Sequence, residues 1–217
     1  MELQGKKINF LGDSITEGCG TSGEACRFTN LIAAKTGALC RNYGICATRI
    51  ARQAIPSDNP RNDLHFPGRV PEMDADADIV VVFGGTNDYG HGDAPIGSMA
   101  DRTLDTFYGA CHTLCRALIE RYPAAAVVIA TPLHRLDEGN PCGSCKKKPV
   151  APLIDYVCII RQVAEYYGLP VMDLYATSGL QPEIPVIQER YVPDGLHPND
   201  AGHVILADKM IAFLRTL

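Results

Sequence analysis

The sequence predicts an α/β fold built on a parallel sheet, with helices covering both faces of the sheet. Short apolar, β-branched runs alternate with stretches of helical periodicity, and this alternation is typical of parallel sheets. The run Ile79–Phe83 is apolar at consecutive positions, which indicates a strand covered on both faces. Five strands are predicted in this way: Ile8–Leu11, Ala38–Tyr43, Ile79–Phe83, Ala126–Thr131 and Pro170–Leu174.

Three longer segments have the apolar spacing of amphipathic helices: Asp101–Tyr122, Pro152–Gly168 and Asn199–Leu214. In each segment the apolar positions recur every three or four residues, so they line one face of a helix. These faces are expected to pack in the core. Cys111 and Cys115 lie on or beside one of them and are expected to be packing residues.

Composition restricts the classes of function. The chain has 217 residues, and this length is consistent with one domain covering residues 1–217, given a usual size of about 150 residues per domain. A net charge of -5 argues against a nucleic-acid partner. The one basic run, Lys146–Lys148, lies beside a proline and is expected to be a solvated loop.

The sequence also predicts a soluble, cytoplasmic protein. Residues Met1–Lys7 lack the apolar segment of a secretory signal, and no apolar run approaches the roughly 20 residues that a membrane span needs. Nine cysteines, an odd number, favour reduced thiols over a disulfide framework. The sequence leaves a homo-oligomer open.

Two long segments, Gln53–Asp76 and Leu133–Pro149, have no clear periodicity and are expected to be functional loops. The second contains Cys142-Gly143-Ser144-Cys145, which raises the alternative of a metal-binding or redox module. One Cys-x-x-Cys pair supplies only half of a tetrahedral zinc site, and no second pair follows.

A serine lies where the first predicted strand ends, in Gly12-Asp13-Ser14. Ligands of open α/β sheets bind at the carboxyl ends of the strands, so Ser14 is a candidate for chemistry. A serine hydroxyl needs a base to take its proton, and the base needs an orienting carboxylate. Asp194-Gly195-Leu196-His197 supplies both groups just before the last predicted helix, on a backbone restrained by Pro198.

Two further turns offer hydrogen-bond donors for a developing oxyanion. The Asn87 amide follows the most apolar strand, within Gly84-Gly85-Thr86-Asn87. Gly44 ends the second predicted strand, in Asn42-Tyr43-Gly44, and its N–H has no side chain beside it to block a carbonyl group.

These four motifs, in this order, resemble the conserved blocks of the SGNH hydrolase superfamily, the GDSL-type lipases, esterases and acylhydrolases. The resemblance implies a three-layer α/β/α sandwich with a flavodoxin-like parallel sheet. It also implies Ser14 as nucleophile, His197 as base and Asp194 as its partner. The implied oxyanion hole consists of the Ser14 N–H, the Gly44 N–H and the Asn87 side chain. An α/β-hydrolase is disfavoured because the Gly-x-Ser-x-Gly elbow is missing.

The expected reaction is hydrolysis of a small-molecule ester through an acyl-enzyme, with no cofactor and no metal. No segment resembles an apolar acyl tunnel or a lid helix, which favours a small acyl group, such as acetyl, on a polar alcohol such as a carbohydrate. Acyl-thioester hydrolysis and an inactive binding protein on the same fold are the alternatives. The candidate substrate-binding residues are Asp13, Tyr89, His91 and His134.

Overall fold

A single sheet of five parallel strands, in the order β2-β1-β3-β4-β5, forms the centre of the computed structural model, which describes residues 1–217. All five predicted strands are present, with bounds that shift by at most two residues. The parallel pairing and the strand order confirm the predicted flavodoxin-like α/β class. The strands are β1 (Lys7–Gly12), β2 (Leu39–Gly44), β3 (Ile79–Phe83), β4 (Ala126–Ala130) and β5 (Val171–Met172).

Nine α-helices lie between or after the strands, several of them only one turn long. Three 3₁₀ turns, Glu24–Cys26, Pro60–Asp63 and Val70–Glu72, complete the regular structure. The α-helices are α1 (Ser14–Glu17), α2 (Phe28–Thr36), α3 (Phe66–Arg69), α4 (Thr86–Gly90), α5 (Phe107–Arg121), α6 (Leu153–Tyr166), α7 (Leu174–Thr177), α8 (Pro185–Tyr191) and α9 (Asp200–Leu214).

Two hydrophobic clusters, one on each face of the sheet, give the molecule its three layers. Helices α5 and α6 pack on the face that carries Val80 and Val82, whereas α2 and α9 pack on the face of Val81 and Phe83. Every residue of β3 is buried, which explains why its sequence is apolar at consecutive positions.

The helix predicted at Asp101–Tyr122 begins later than expected, at Phe107. Thr106 caps it: its Oγ1 accepts a hydrogen bond from the Gly109 N–H at 3.1 Å and donates to Asp101 Oδ2 at 2.8 Å. A threonine at this position stops the helix from extending backward because its side chain replaces the missing intrahelical partner. The other two predicted helices agree with α6 and α9 to within two residues.

Phe28 joins the first residues of α2 to the sheet and to α9. Its ring packs edge-on against Phe10 and Phe83, at centroid distances of 5.5 and 6.3 Å, and stacks on His203 at 5.8 Å. The Phe28 N–H also donates to His203 Nδ1 at 3.0 Å. Aromatic pairs of this kind contribute about 0.5–1.5 kcal/mol each in addition to the free energy of burying their surface. The contacts of Phe28 therefore hold α9 in place.

The basic run Lys146–Lys148 is only partly the solvated loop that the sequence predicts. Lys147 and Lys148 are exposed, but Lys146 is half-buried and donates to the Tyr156 hydroxyl at 2.6 Å. Burial lowers the pKa of the Lys146 ammonium to about 8.

All nine cysteines are free thiols in the structure. Cys111 and Cys115 are buried on α5, which confirms their prediction as packing residues. None of the helices combines the length and the apolar character needed to cross a membrane.

The variant Ile160→Ala is expected to lower the free energy of unfolding by about 2–5 kcal/mol. Ile160 is buried on α6 against the sheet, so the substitution removes core volume. The matched control is Ile154→Ala on the same helix, where the side chain is 38% exposed and the loss should stay below about 1 kcal/mol. Urea unfolding of both variants measures the two costs. Equal losses would contradict the placement of the α6 core face.

Candidate active site

Ser14 is the first residue of α1, directly after β1, and its side chain is almost completely buried. Asp13 forms the turn: its Oδ1 accepts the Ile15 N–H at 3.0 Å and caps the short helix. Gly12 is required before it, since a Cβ there would lie 1.9 Å from Thr16 Oγ1. The Ser14 N–H belongs to the first turn of α1, where N–H groups have no partner within the helix.

His197 and Asp194 lie beside this serine, although 183 residues separate Ser14 from His197. His197 Nε2 is 3.0 Å from Ser14 Oγ, and His197 Nδ1 is 2.7 Å from Asp194 Oδ2. The expected hydrogen-bond contact between the serine and the histidine is therefore present. The three side chains form a continuous chain of hydrogen bonds from carboxylate to imidazole to hydroxyl, which is the arrangement that activates a serine.

The segment that carries His197 is held by its own backbone. Asp194 Oδ1 accepts the N–H groups of Leu196 at 2.9 Å and His197 at 2.6 Å. Partial burial raises the pKa of Asp194, but the hydrogen bonds from the His197 N–H and imidazole outweigh it, and the net pKa lies below the ordinary value. A carboxylate ionised at neutral pH can accept from Nδ1–H and stabilise a charged imidazolium.

The Asn87 side chain faces the same edge of the sheet and is 5% exposed. One of its amide hydrogens is donated to the Thr48 carbonyl at 3.0 Å. Because a primary amide has two N–H donors, this bond orients the group and leaves the second hydrogen for a ligand.

The Gly44 N–H differs from the sequence expectation, since it already donates to Asn42 Oδ1 at 2.8 Å. The Asn42 amide in turn donates to the Thr16 carbonyl at 2.6 Å. A substrate oxygen could use the Gly44 N–H only by sharing it with, or displacing, the Asn42 side chain. Glycine is needed here for packing as well, because a Cβ would lie 2.1 Å from the Glu17 nitrogen.

Arg69 is a site residue that the sequence reasoning missed. It lies in the segment Gln53–Asp76, which carries no motif, and no signal in the sequence marks it. Its buried guanidinium donates to the Gly12 carbonyl and to Thr48 Oγ1, at 3.1 and 3.0 Å, and also to the Tyr43 carbonyl. Arg69 thereby ties together the ends of β1 and β2 and the residue that orients Asn87.

Asp88 ties α4 to the segment that follows β2. Its two carboxylate oxygens accept the N–H groups of Ile50 and Ala51, at 2.9 and 2.8 Å. Burial raises the pKa of Asp88 to about 6 against these two hydrogen bonds. The carboxylate therefore fixes the backbone around Thr48, to which the Asn87 amide is bonded.

Two of the four candidate substrate-binding residues point inward, so those two predictions require correction. Asp13 is 2% exposed, and it caps α1 instead of facing a ligand. Tyr89 is 1% exposed, packs against the Tyr156 ring and donates its hydroxyl to the Asp137 carbonyl at 2.5 Å. The reason is the short helix α4, which turns residue 89 into the core.

The other two candidates are partly exposed. His91 Nδ1 lies 2.7 Å from Arg49, and burial, Arg49 and other cations lower the pKa of His91 to about 4, so the ring is neutral. His91 also lines an open cavity of about 470 Å³ together with the three residues Lys146–Lys148. The His134 ring packs at a tilt against the Tyr175 ring, with the centroids 3.9 Å apart, and its Nδ1 is 2.8 Å from a carboxylate oxygen of Glu138.

Cys142 and Cys145 have no third ligand within metal-binding distance. The one group of three or more His, Cys, Asp or Glu side chains close enough to share an ion is Glu17, Cys19 and Cys46. The structure therefore offers no completed metal site around the Cys-x-x-Cys pair.

A flavodoxin-like sheet with a serine, a histidine and an aspartate joined at its carboxyl edge defines the class of GDSL-type hydrolases. The chain belongs to the GDSL-like lipase/acylhydrolase family, whose model matches residues 10–205. It is therefore an esterase or acylhydrolase, as the motifs predicted.

Individual relatives agree with this family. A GDSL lipase of Mycobacterium tuberculosis is 28% identical over 209 residues, covering 94% of this chain and 79% of the relative. A solved structure of a Lactobacillus plantarum protein is 31% identical with a TM-score of 0.83, and the match covers 98% of both chains. A structure described as an arylesterase of Agrobacterium tumefaciens shares the fold, with 17% identity, a TM-score of 0.67 and coverage of 97% and 99%.

Burial raises the pKa of Asp13 to about 7, with the Asp88 charge as a further cause and the Ile15 N–H opposing it. The folded protein thus holds this proton to a higher pH than the unfolded chain does. Between about pH 4 and about pH 7 the folded state binds more protons, so this group lowers stability as the pH rises.

The variant Asp13→Asn keeps the Oδ1 acceptor and removes the titration. Its free energy of unfolding, relative to wild type, should increase with pH across this window by up to about 4 kcal/mol, from about 1.36 kcal/mol per pKa unit. Urea unfolding of both proteins at the two ends of the window measures the change. A difference independent of pH would show that Asp13 is ionised throughout.

Proposed function

We propose that the protein hydrolyses esters by transferring the acyl group to Ser14 and then to water. The observation that carries the proposal is the pair of contacts at His197, 3.0 Å to Ser14 Oγ and 2.7 Å to Asp194 Oδ2. His197 Nε2 takes the hydroxyl proton while Ser14 Oγ bonds to the ester carbon. The imidazolium that forms is stabilised at Nδ1 by the Asp194 carboxylate.

The carbonyl oxygen of the substrate becomes an oxyanion in this step. The Ser14 N–H and the free hydrogen of the Asn87 amide donate to this oxyanion. The Gly44 N–H becomes a third donor when the Asn42 side chain releases it. Bonds made to an oxyanion are stronger than those to the neutral carbonyl, so these groups favour the transition state over the substrate. His197 then returns the proton to the leaving alcohol, and a water molecule activated by the same imidazole releases the acyl group.

The sequence favours a small acyl group, because no segment resembles an apolar acyl tunnel or a lid helix. We therefore assign a small acyl group, such as acetyl, on a polar alcohol such as a carbohydrate.

A structural neighbour is described as a two-domain esterase active on acetylated mannans, and its match covers 99% of this chain and 50% of the neighbour. At 21% identity and a TM-score of 0.64 this likeness concerns the fold. The activity described for that neighbour supports the choice of an acetylated carbohydrate as the substrate class to test.

A second candidate substrate, an acyl thioester of coenzyme A, is favoured by the cavity of about 470 Å³ beside His91. Lys147 and Lys148 on its wall are exposed cations of the kind that contact phosphate groups. The His91 N–H donates to the Asn87 backbone carbonyl at 3.0 Å, so one residue of the cavity wall is bonded to the residue that bears the proposed oxyanion donor.

Removing the Ser14 hydroxyl tests the reaction itself. Ser14→Ala should lower kcat for a chromogenic acetyl ester by about 10³-fold or more, because the nucleophile is gone while the binding groups remain. The matched control Ser98→Ala, at an exposed serine before α5, should keep wild-type activity. Activity of Ser14→Ala above about one tenth of wild type would exclude Ser14 as the nucleophile.

A substrate series tests the acyl group and the leaving group separately. On a common alcohol, kcat/KM should fall about tenfold or more from acetyl to octanoyl if the site is built for a small acyl group. An acetylated sugar should also be hydrolysed faster than acetyl-CoA. If acetyl-CoA is the better substrate, and Lys147→Ala/Lys148→Ala removes that preference, the thioester function replaces the sugar ester.

A further inference from the structure

Two thiols and a carboxylate form a cluster beside the catalytic groups and take no part in the proposed reaction. One carboxylate oxygen of Glu17, Cys19 Sγ and Cys46 Sγ all lie within 4.8 Å of one another. All three residues are half-buried, so the cluster is sheltered from bulk water and still open to a small ion.

The cluster joins the turn after Ser14 to the turn after Gly44. Cys19 lies between Gly18 and Gly20, both in the left-handed region with φ of 101° and 93°, and its N–H donates to the Ser14 carbonyl at 2.9 Å. The left-handed positions on either side of Cys19 favour glycine, because a residue with a Cβ is strained there. This turn aims Cys19 toward the second turn.

Cys46 comes from the segment that follows β2. Its N–H donates to Glu17 Oε2 at 2.5 Å, which draws the Cys46 backbone onto the end of α1. Glu17 Oε1 accepts from the exposed Arg61 at 2.9 Å. Each carboxylate oxygen keeps a further lone pair, and the two hydrogen bonds orient the group as outer contacts orient a metal ligand.

We propose that Glu17, Cys19 and Cys46 bind one thiophilic divalent cation of the zinc class, with water as the fourth ligand. Tetrahedral Zn–S bonds of about 2.3 Å place two sulfurs about 3.8 Å apart, within the observed limit. On binding, each thiol loses its proton to the solvent while its sulfur bonds to the ion, so no oxidant or reductant is involved.

The proposed site is separate from the triad, since neither Asp194 nor His197 belongs to the cluster. It adds a cross-link between the two turns that supply the Ser14 and Gly44 N–H groups. The inference concerns cation binding alone and holds or fails independently of the proposed esterase reaction.

A Cd²⁺ titration of the purified, reduced protein is the first test. One equivalent of Cd²⁺ should produce an ultraviolet thiolate-to-metal charge-transfer band, and Zn²⁺ should displace it. Cys19→Ser/Cys46→Ser should weaken Cd²⁺ binding about 100-fold or more, and Glu17→Gln about tenfold. The matched control Cys142→Ser/Cys145→Ser should bind Cd²⁺ as wild type does, with circular dichroism confirming that all variants are folded.

Thiol alkylation of the wild-type protein tests the site without any substitution. Zn²⁺ should protect Cys19 and Cys46 from iodoacetamide, as mapped by mass spectrometry of peptides, while Cys145 stays reactive. Protection of Cys142 and Cys145 instead, or protection of no cysteine, would overturn the proposal. So would Cd²⁺ binding that survives Cys19→Ser/Cys46→Ser and disappears in His197→Ala, because the ion would then lie on the triad.

Discussion

The hydrogen bond between Ser14 and His197 depends on how the last helix packs against the first half of the chain. His197 precedes α9, and α9 buries Leu206 and Met210 in the same cluster as Phe28 and Phe10. Asn199 caps the helix by accepting the Gly202 N–H at 3.1 Å. A serine and an imidazole can stay 3.0 Å apart across 183 residues only if this face of the sheet is rigid.

The geometry of the site also depends on close backbone packing at the ends of β1 and β2. Gly12 and Gly44 leave no room for a Cβ, and the buried guanidinium of Arg69 bonds the carbonyl groups nearby. Burial lowers the pKa of Arg69 to about 10, with the Asp13 charge opposing the shift. Raised pKa values at Asp13 and Asp88 show the same cost of desolvating charge. Such groups cluster where function requires a fixed geometry.

The proposed catalytic groups could be picked out from the sequence because short motifs carry them. Ser14 follows a strand, and Asp194 and His197 lie three residues apart on one turn, so local patterns are sufficient to identify them. The substrate-facing side chains could not be found in this way. Tyr89 lies in a rim motif, yet its ring turns into the core, because the direction of a side chain on a one-turn helix is decided by its packing.

The sequence alone determined the class of fold, the five strands and the members of the proposed triad, because apolar periodicity and short motifs are local properties of the chain. The tertiary structure decided the role of Arg69 and the occupied state of the Gly44 N–H. It also brought Cys19 and Cys46 together, although they lie on separate turns with no shared motif. These features depend on which distant backbone segments meet, and long-range packing leaves no periodic mark in the sequence.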